Sequence, residues 1–253
     1  MKKLILLFTM LLVAGCGEKS PPEDPESSSE SAVPSSGSRK PSYESLSLPL
    51  SHADVEQLLK EAVDFGSLEE RAAGPEASDL FFQNDEPYSG WVRIMYESGQ
   101  VEELTRLKDG KEDGPWTTWH QNGQKASEGT FKDGKLDGLV TMWDTTGKKH
   151  EESTYEAGEL HGPSTSWWPD GKKSAESTYQ AGGLHGPAKS WYENGQKKSE
   201  STYREGKRDG LRTYWHESGR KQAEGTYKDG QELSAKFWNT KGEEVETWEE
   251  SRE

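Results

Sequence analysis

The sequence predicts a mainly β protein in which tandem 24-residue β-hairpin repeats form an elongated, curved meander sheet, preceded by one short N-terminal helix and a disordered tether. Three observations predict this: glycine recurs at a fixed interval, large aromatic residues recur in register with it, and the residues between them alternate with period two. Composition makes the aromatic series informative. Only 29% of residues are apolar and mean hydropathy is −1.05, values that alone point to disorder. The 10 tryptophans point the other way, because rings at regular intervals concentrate apolar surface where a sheet can bury it. A formal charge of −15 makes nucleic acid a poor partner.

In chain order, residues 1–15 read as a secretion signal, with Lys2 and Lys3 followed by an apolar run from Leu4 to Ala14 that only Thr9 interrupts. That run is shorter than the roughly 20 residues a membrane-spanning helix needs. Val13-Ala14-Gly15-Cys16 resembles the bacterial lipoprotein box. The resemblance implies that Cys16 carries acyl groups, becomes the first residue of the mature chain and holds the protein at a membrane in the cell envelope. Gly17 stands where an aspartate would, by family resemblance, retain the protein at the inner membrane, which in a Gram-negative cell implies the outer membrane. Cys16 is the sole cysteine, so no internal disulfide forms. The alternative, an exposed free thiol, is a liability in an exported chain. Removal of Lys2 and Lys3 takes the mature charge to −15 − 2 = −17, so no polybasic membrane patch exists.

Residues 16–50 comprise the lipidated N-terminus and its tether. Positions 17–50 hold 11 serines and 6 prolines, with Tyr43 as the single aromatic. Such a stretch cannot bury enough to fold. As a flexible coil it spans roughly 30 to 35 Å, enough to lift a domain clear of a lipid surface. A modification or recognition segment is the other reading. Residues 51–79 are a short helix and lead-in: Ser51 stands at an N-cap, and Val55, Leu58, Leu59 and Ala62 fall at helical spacing.

The repeat array covers residues 80–242. Gly90, Gly114, Gly138, Gly162, Gly186 and Gly210 begin successive copies, and two further glycine series follow nine and twenty residues later. Pro115, Thr117 and Trp119 alternate with Trp116, Thr118 and His120, which is the period of a strand. Asn122-Gly123, Asp170-Gly171 and Asn194-Gly195 supply turn residues that tolerate positive φ. The ladder Trp119, Trp143, Trp167, Trp191 and Trp215 reads as the structural core that stacked hairpins must share, since no two-stranded unit hides its own rings. The opening copy carries Met95, Leu104 and Leu107 where later ones have tryptophan, glutamate and an aromatic, as a capping unit should. Residues 243–253 read as an acidic tail.

Tyr155-x-x-Gly158-x-x-His161-Gly162 and Tyr179-x-x-Gly182-x-x-His185-Gly186 resemble the MORN repeat, in its variant from bacterial proteins. Pro163 and Pro187 replace the family's usual second glycine. The resemblance implies a β-hairpin array, and it carries an antitoxin-like association.

Candidate chemistry is sparse. Asp137, His161, His185 and Asp209 occupy equivalent positions and could ligate a metal by type, but equivalent residues two strands apart lie about 10 Å from each other, too far for one ion. No metal site and no cofactor are expected. Glu128, Glu152, Glu176, Glu200 and Glu224 form a carboxylate ladder accompanied by lysines three residues earlier, a solvated face of cross-strand charge pairs rather than a catalytic pair. Residues 114–230 hold 17 basic and 17 acidic side chains, so charge does not select the array's partner. Neither a Gly-x-Ser-x-Gly elbow nor a phosphate-binding loop occurs, and the expectation is a non-enzyme. Trp116, Trp168, Tyr192 and Tyr214 lie off the main aromatic stripe and form the candidate binding surface. The functional expectation is a lipid-anchored envelope protein that binds or scaffolds another protein. A glycan or peptidoglycan binder and an antitoxin-like protein neutralising a partner are the alternatives.

Overall fold

The computed structural model describes residues 49–72 and 79–253. The signal segment, Cys16 and the tether as far as residue 48 lie outside the described residues. The chain enters through α1 (His52–Glu61) and β1 (Val63–Asp64). Strands β2 (Glu69–Arg71), β3 (Leu80–Gln83) and β4 (Glu86–Pro87) then make a separate three-stranded antiparallel sheet. The hairpins follow: β5 (Gly90–Met95) with β6 (Val101–Lys108), then β7 (Lys111–Trp119) with β8 (Lys125–Lys132). After the short β9 (Lys135–Leu136) come β10 (Gly138–Trp143) with β11 (Lys149–Glu156), and β12 (Glu159–Trp167) with β13 (Lys173–Gln180). The last are β14 (Gly183–Trp191) with β15 (Lys197–Arg204), β16 (Lys207–Trp215) with β17 (Lys221–Lys228), and β18 (Gln231–Trp238) with β19 (Glu244–Val245). They form one 16-stranded sheet in chain order, antiparallel throughout except that β1 joins β5 in parallel.

Two kinds of turn alternate along the meander, and the structure corrects which of them needs paired positive-φ residues. At Asn122-Gly123 only the glycine has positive φ, 82°. There the amide of Gly123 donates to the carbonyl of His120 at 2.8 Å, and the amide of His120 to that of Gln124 at 2.8 Å. The paired left-handed residues sit in the other turn series, as at Asp133 (49°) with Gly134 (80°) and Ala157 (51°) with Gly158 (87°). Two consecutive positive φ values match the twist of a two-residue hairpin. Each of these turns also grips the preceding repeat: the amide of Gly158 donates to the Leu136 carbonyl at 2.8 Å, and that of Gly182 to Leu160 at 3.0 Å.

The two faces of the sheet differ in kind. One carries Phe131, Tyr155, Tyr179, Tyr203 and Tyr227 over a floor of small residues, and we call it the tyrosine face. The other carries the glutamate ladder. Cross-strand register settles the sides, for Trp116 opposes Gly129 and Thr118 opposes Ser127 on the tyrosine face, whereas Thr117 opposes Glu128. The small residues therefore make room for Trp116 and the tyrosines. The five-tryptophan ladder lies on the glutamate face, and each of its rings is half-buried.

Both ends are closed by non-repeat segments. On the glutamate face α1 packs Leu58, Ala62 and the preceding Leu50 against Trp91 and Leu104, with Trp119 alongside. Ser51 caps the helix, accepting from the Asp54 amide while the Asp54 carboxylate accepts from the Ser51 amide. On the tyrosine face Phe81 packs with Val92 and Leu107, joined by Phe65 and Tyr88. Leu104 and Leu107 are fully buried, which explains why the opening copy departs from the repeat: the places that later copies give to a glutamate and an aromatic lie under the caps. The array proper starts at Gly90, since 80–87 belong to the small sheet. At the other end, residues 243–253 are folded onto the array rather than trailing from it. Val245 pairs with Phe237, Trp248 packs edge-on against Tyr214 with centroids 5.3 Å apart, and Ser251 is fully buried.

Candidate binding surfaces

On the glutamate face a single cross-strand row runs from Arg93 through Leu104, Thr117, Glu128, Thr141 and Glu152 to Lys236. Each ladder glutamate meets the lysine three residues before it, with Nζ to carboxylate distances of 2.5 Å for Lys125–Glu128 and 2.7 Å for Lys197–Glu200. These pairs lie within one strand, not across strands. In a regular strand residues three apart point to opposite faces. Here Met142 opposes Glu151 but Trp143 opposes Lys149, so His150 bulges out and both charges fall on one side. The same lysine then reaches the tryptophan of the next repeat: Lys125 lies 5.4 Å from the Trp143 ring centre, Lys149 5.6 Å from Trp167 and Lys197 5.1 Å from Trp215. The hydrogen bond from Lys197 holds the Glu200 carboxyl below its usual range. With side chains 38% exposed, such a pair contributes under about 1 kcal/mol. Beyond this row, toward the paired-turn edge, Leu139 (54%) and Leu211 (53%) stand exposed.

On the tyrosine face, hydroxyl pairs tie adjacent strands: Ser153 with Ser164 at 2.9 Å and Ser190 with Ser199 at 2.7 Å. Leu136, Val140 and Tyr155 form a buried cluster with Trp116, Phe131, Met142 and Leu160 around it. Burial pushes the Tyr155 and Tyr179 phenols above their usual range.

The structure does not gather Trp116, Trp168, Tyr192 and Tyr214 into one surface. Trp116 stacks edge-on with Phe131 at 5.6 Å inside the tyrosine-face cluster. Tyr214 lies far along the same face beneath Trp248. Trp168 and Tyr192 start equivalent hairpin turns, at a position where four copies place a hydrogen bond to the next repeat. The hydroxyl of Tyr192 donates to the Trp215 carbonyl at 2.8 Å and that of Tyr96 to the Trp119 carbonyl at 2.6 Å. His120 and His216 bond the carbonyls of Trp143 and Trp238 through Nε2 at 2.9 and 3.0 Å. Trp168 holds the same place, with its indole N–H buried and unbonded. The 24-residue spacing of these five residues was the available signal.

Two desolvated acids escaped the sequence reading. Burial raises the pKa of Glu103, against the hydrogen bond that the Thr105 hydroxyl donates at 2.7 Å and one from Trp116. Burial likewise raises Glu112, and the charge of Glu103 adds to it. Their positions gave the clue, since Glu103 stands where the next copy has Ser127, and Glu112 where later copies have Leu136, Leu160 and Leu184. Of the candidate ligand set, His161 pairs with Glu156 at 2.9 Å through Nδ1, while Asp209 accepts from Arg204 and Lys228 at 2.6 and 2.9 Å. Among the described residues no three His, Cys, Asp or Glu side chains meet in a metal-binding group, and no helix is long and apolar enough to cross a membrane.

Comparison with known proteins adds a family. The MORN repeat variant matches residues 112–133, 136–157, 160–181, 184–205 and 208–229. No curated protein matches the chain. Among solved structures, a mutant of S. aureus TarM bound to fondaparinux, α-GlcNAc-glycerol and UDP aligns at 10% identity with a TM-score of 0.23, covering 63% of this chain and 24% of that one. A second TarM structure aligns at 10% identity with a TM-score of 0.21, covering 60% and 22%. Likeness at that level bears on neither fold nor activity. The five matched segments each hold one tyrosine-face aromatic, from Phe131 to Tyr227, end one residue short of a paired-turn glycine, from Gly134 to Gly230, and follow one another at the 24-residue interval seen in the sheet: the chain carries five tandem MORN repeats of the variant type across residues 112–229.

Proposed function

We propose that this MORN-repeat protein is a non-catalytic, lipid-anchored component of the cell envelope whose sheet serves as a binding or scaffolding surface for another protein. The observation that carries the reading is that the repeat sheet is a single layer. The helix and the small sheet cover its first hairpins and the C-terminal segment covers its last, so the middle repeats present both faces. Partly buried tryptophans, tyrosines and exposed leucines on such a surface are the residue types that anchor protein partners. The lipoprotein-like Val13-Ala14-Gly15-Cys16 and the Ser/Pro-rich tether support attachment through acyl groups at Cys16. Crosslinking in intact cells followed by mass spectrometry tests the partner: a reproducible envelope protein joined to residues 136–230 is expected, and recovery of lipid alone, or of peptidoglycan fragments alone, overturns the scaffold. For the anchor, a Cys16→Ser form is expected in the soluble fraction; full retention at the membrane refutes it.

A further inference from the structure

The last repeat differs from its neighbours on the tyrosine face. Where earlier copies place Leu136, Leu160 and Leu184, it has Arg208, and where they place Val140, Ser164 and Ala188, it has Arg212. Both guanidiniums approach the same ring, with Arg208 5.6 Å and Arg212 5.9 Å from the centre of Tyr227, and Arg212 also lies 4.2 Å from that of Tyr214. Neither forms an ion pair with a carboxylate among the described residues, whereas Arg204 in the same repeat pairs with Asp209 and Asp229. The Nε of Arg208 is buried without an acceptor. Stacked but unpaired guanidiniums are a ready receptor for a carboxylate or phosphate.

Beside them is a cavity of about 240 Å³ whose lining includes Arg212, Tyr214, Tyr227, Phe237 and Trp248 together with two acids, Glu224, which pairs with Lys221, and Glu232, which accepts from the Tyr227 hydroxyl. Its lining is mostly apolar. It is too small for a lipid chain, and a sugar acid would leave hydroxyls unpaired against ring faces. One large apolar side chain next to one anion fits it. A third feature adjoins the cavity. Strand β18, which supplies Phe237, is paired along its outer edge only at Phe237 and Trp238, so from Gln231 to Lys236 that edge is open to another strand. An exposed edge of this kind receives extended peptides by backbone hydrogen bonding.

We propose that the last repeat is a docking site for the free C-terminal end of an extended partner polypeptide: its carboxylate received by Arg212 and Arg208, its terminal apolar side chain lodged among Tyr214, Tyr227, Phe237 and Trp248, and its backbone running along β18. This rests on the protein-binding reading above and names where the partner's end is held.

The test uses the full chain from residue 17 and a six-residue peptide ending in phenylalanine, with a free carboxylate or an amide, followed by calorimetry and by the indole N–H resonance of Trp248. The free acid is expected to bind and shift that resonance. The amide and the Arg212→Gln variant are expected to lose affinity by about tenfold, the value of one charge-assisted hydrogen bond. Arg212→Lys, which keeps charge but not the fork, should retain part of the binding, and circular dichroism checks that each variant is folded. Equal binding of acid and amide overturns the carboxylate site. Binding by inorganic phosphate or glucuronate with no gain from the phenylalanine overturns the peptide assignment. If no peptide binds while the crosslinked envelope partner is still recovered, this inference fails and the scaffold reading stands.

Discussion

Replacing Leu104 by glutamate gives the opening copy the residue that later copies carry at the same place in the row. In those copies the carboxylate is 13 to 38% exposed and paired with a lysine. At Leu104 it would sit at a position with no exposed surface, beneath α1 and against Trp91. Loss of the leucine's contacts alone costs about 3 kcal/mol, and a carboxylate in the gap adds to that. The cost should fall on the helix rather than on the array, because each repeat contacts only its neighbours and α1 is the element resting on Leu104. A free helix of 10 residues is marginal in water, so undocking is unfolding. Amide exchange in residues 52–61 should therefore accelerate by on the order of a hundredfold. Residues 136–230 should keep their protection. Unchanged exchange in the helix, or uniform loss of protection across the sheet, would refute both the packing assignment and the nearest-neighbour argument.

Three further outcomes follow from the geometry. Ala157 and Ala181 hold positive φ that a side chain disfavours, so Ala181→Gly should stabilise the hairpin by up to about 1 kcal/mol, a rise of roughly 2 to 4 °C in the thermal midpoint; a lower midpoint would contradict the turn assignment. Tyr192→Phe removes the bond to the Trp215 carbonyl and should destabilise the protein by about 1 kcal/mol in urea unfolding, where no change would show that the staple contributes nothing. Glu103 has a raised pKa when folded, so its proton favours the native state: the stability it lends is complete below the ordinary carboxylate pKa and is lost as pH rises through the raised value. Glu103→Gln should accordingly flatten the fall in thermal midpoint between acid and neutral pH and raise the midpoint at neutral pH, and identical pH profiles for variant and parent would refute the burial of that charge.

Period, hairpins and helix cap were legible because each is local. Ser51 and Asp54 announce the capping box three residues apart, and glycine marks every hairpin turn of the repeat array. What the sequence withheld came from bulges and from contacts between repeats. One extra residue at His150 moves Lys149 to the side of Glu152, so counting alternate residues through the turn assigns the lysine ladder to the wrong partner. Tyr192 looked like a spare ring because its use, a bond to the Trp215 carbonyl of the next repeat, becomes visible only when the copies are stacked. Composition likewise made residues 243–253 look like tail, though Trp248 had a ring to meet in Tyr214.

The bonds that link Gly158 to Leu136 and Gly182 to Leu160 all span the same number of residues, and the turn-start series spans nearly one full unit as well. Each hairpin thus finds its neighbour by a fixed offset rather than by a private interface. A gene encoding such a chain can gain or lose one whole unit of 24 codons and leave every remaining joint intact, lengthening or shortening the molecule by about 10 Å a step. An insertion of any other length would break the chain of joints at one point, and the two closed ends would go on fitting the hairpins they already cover.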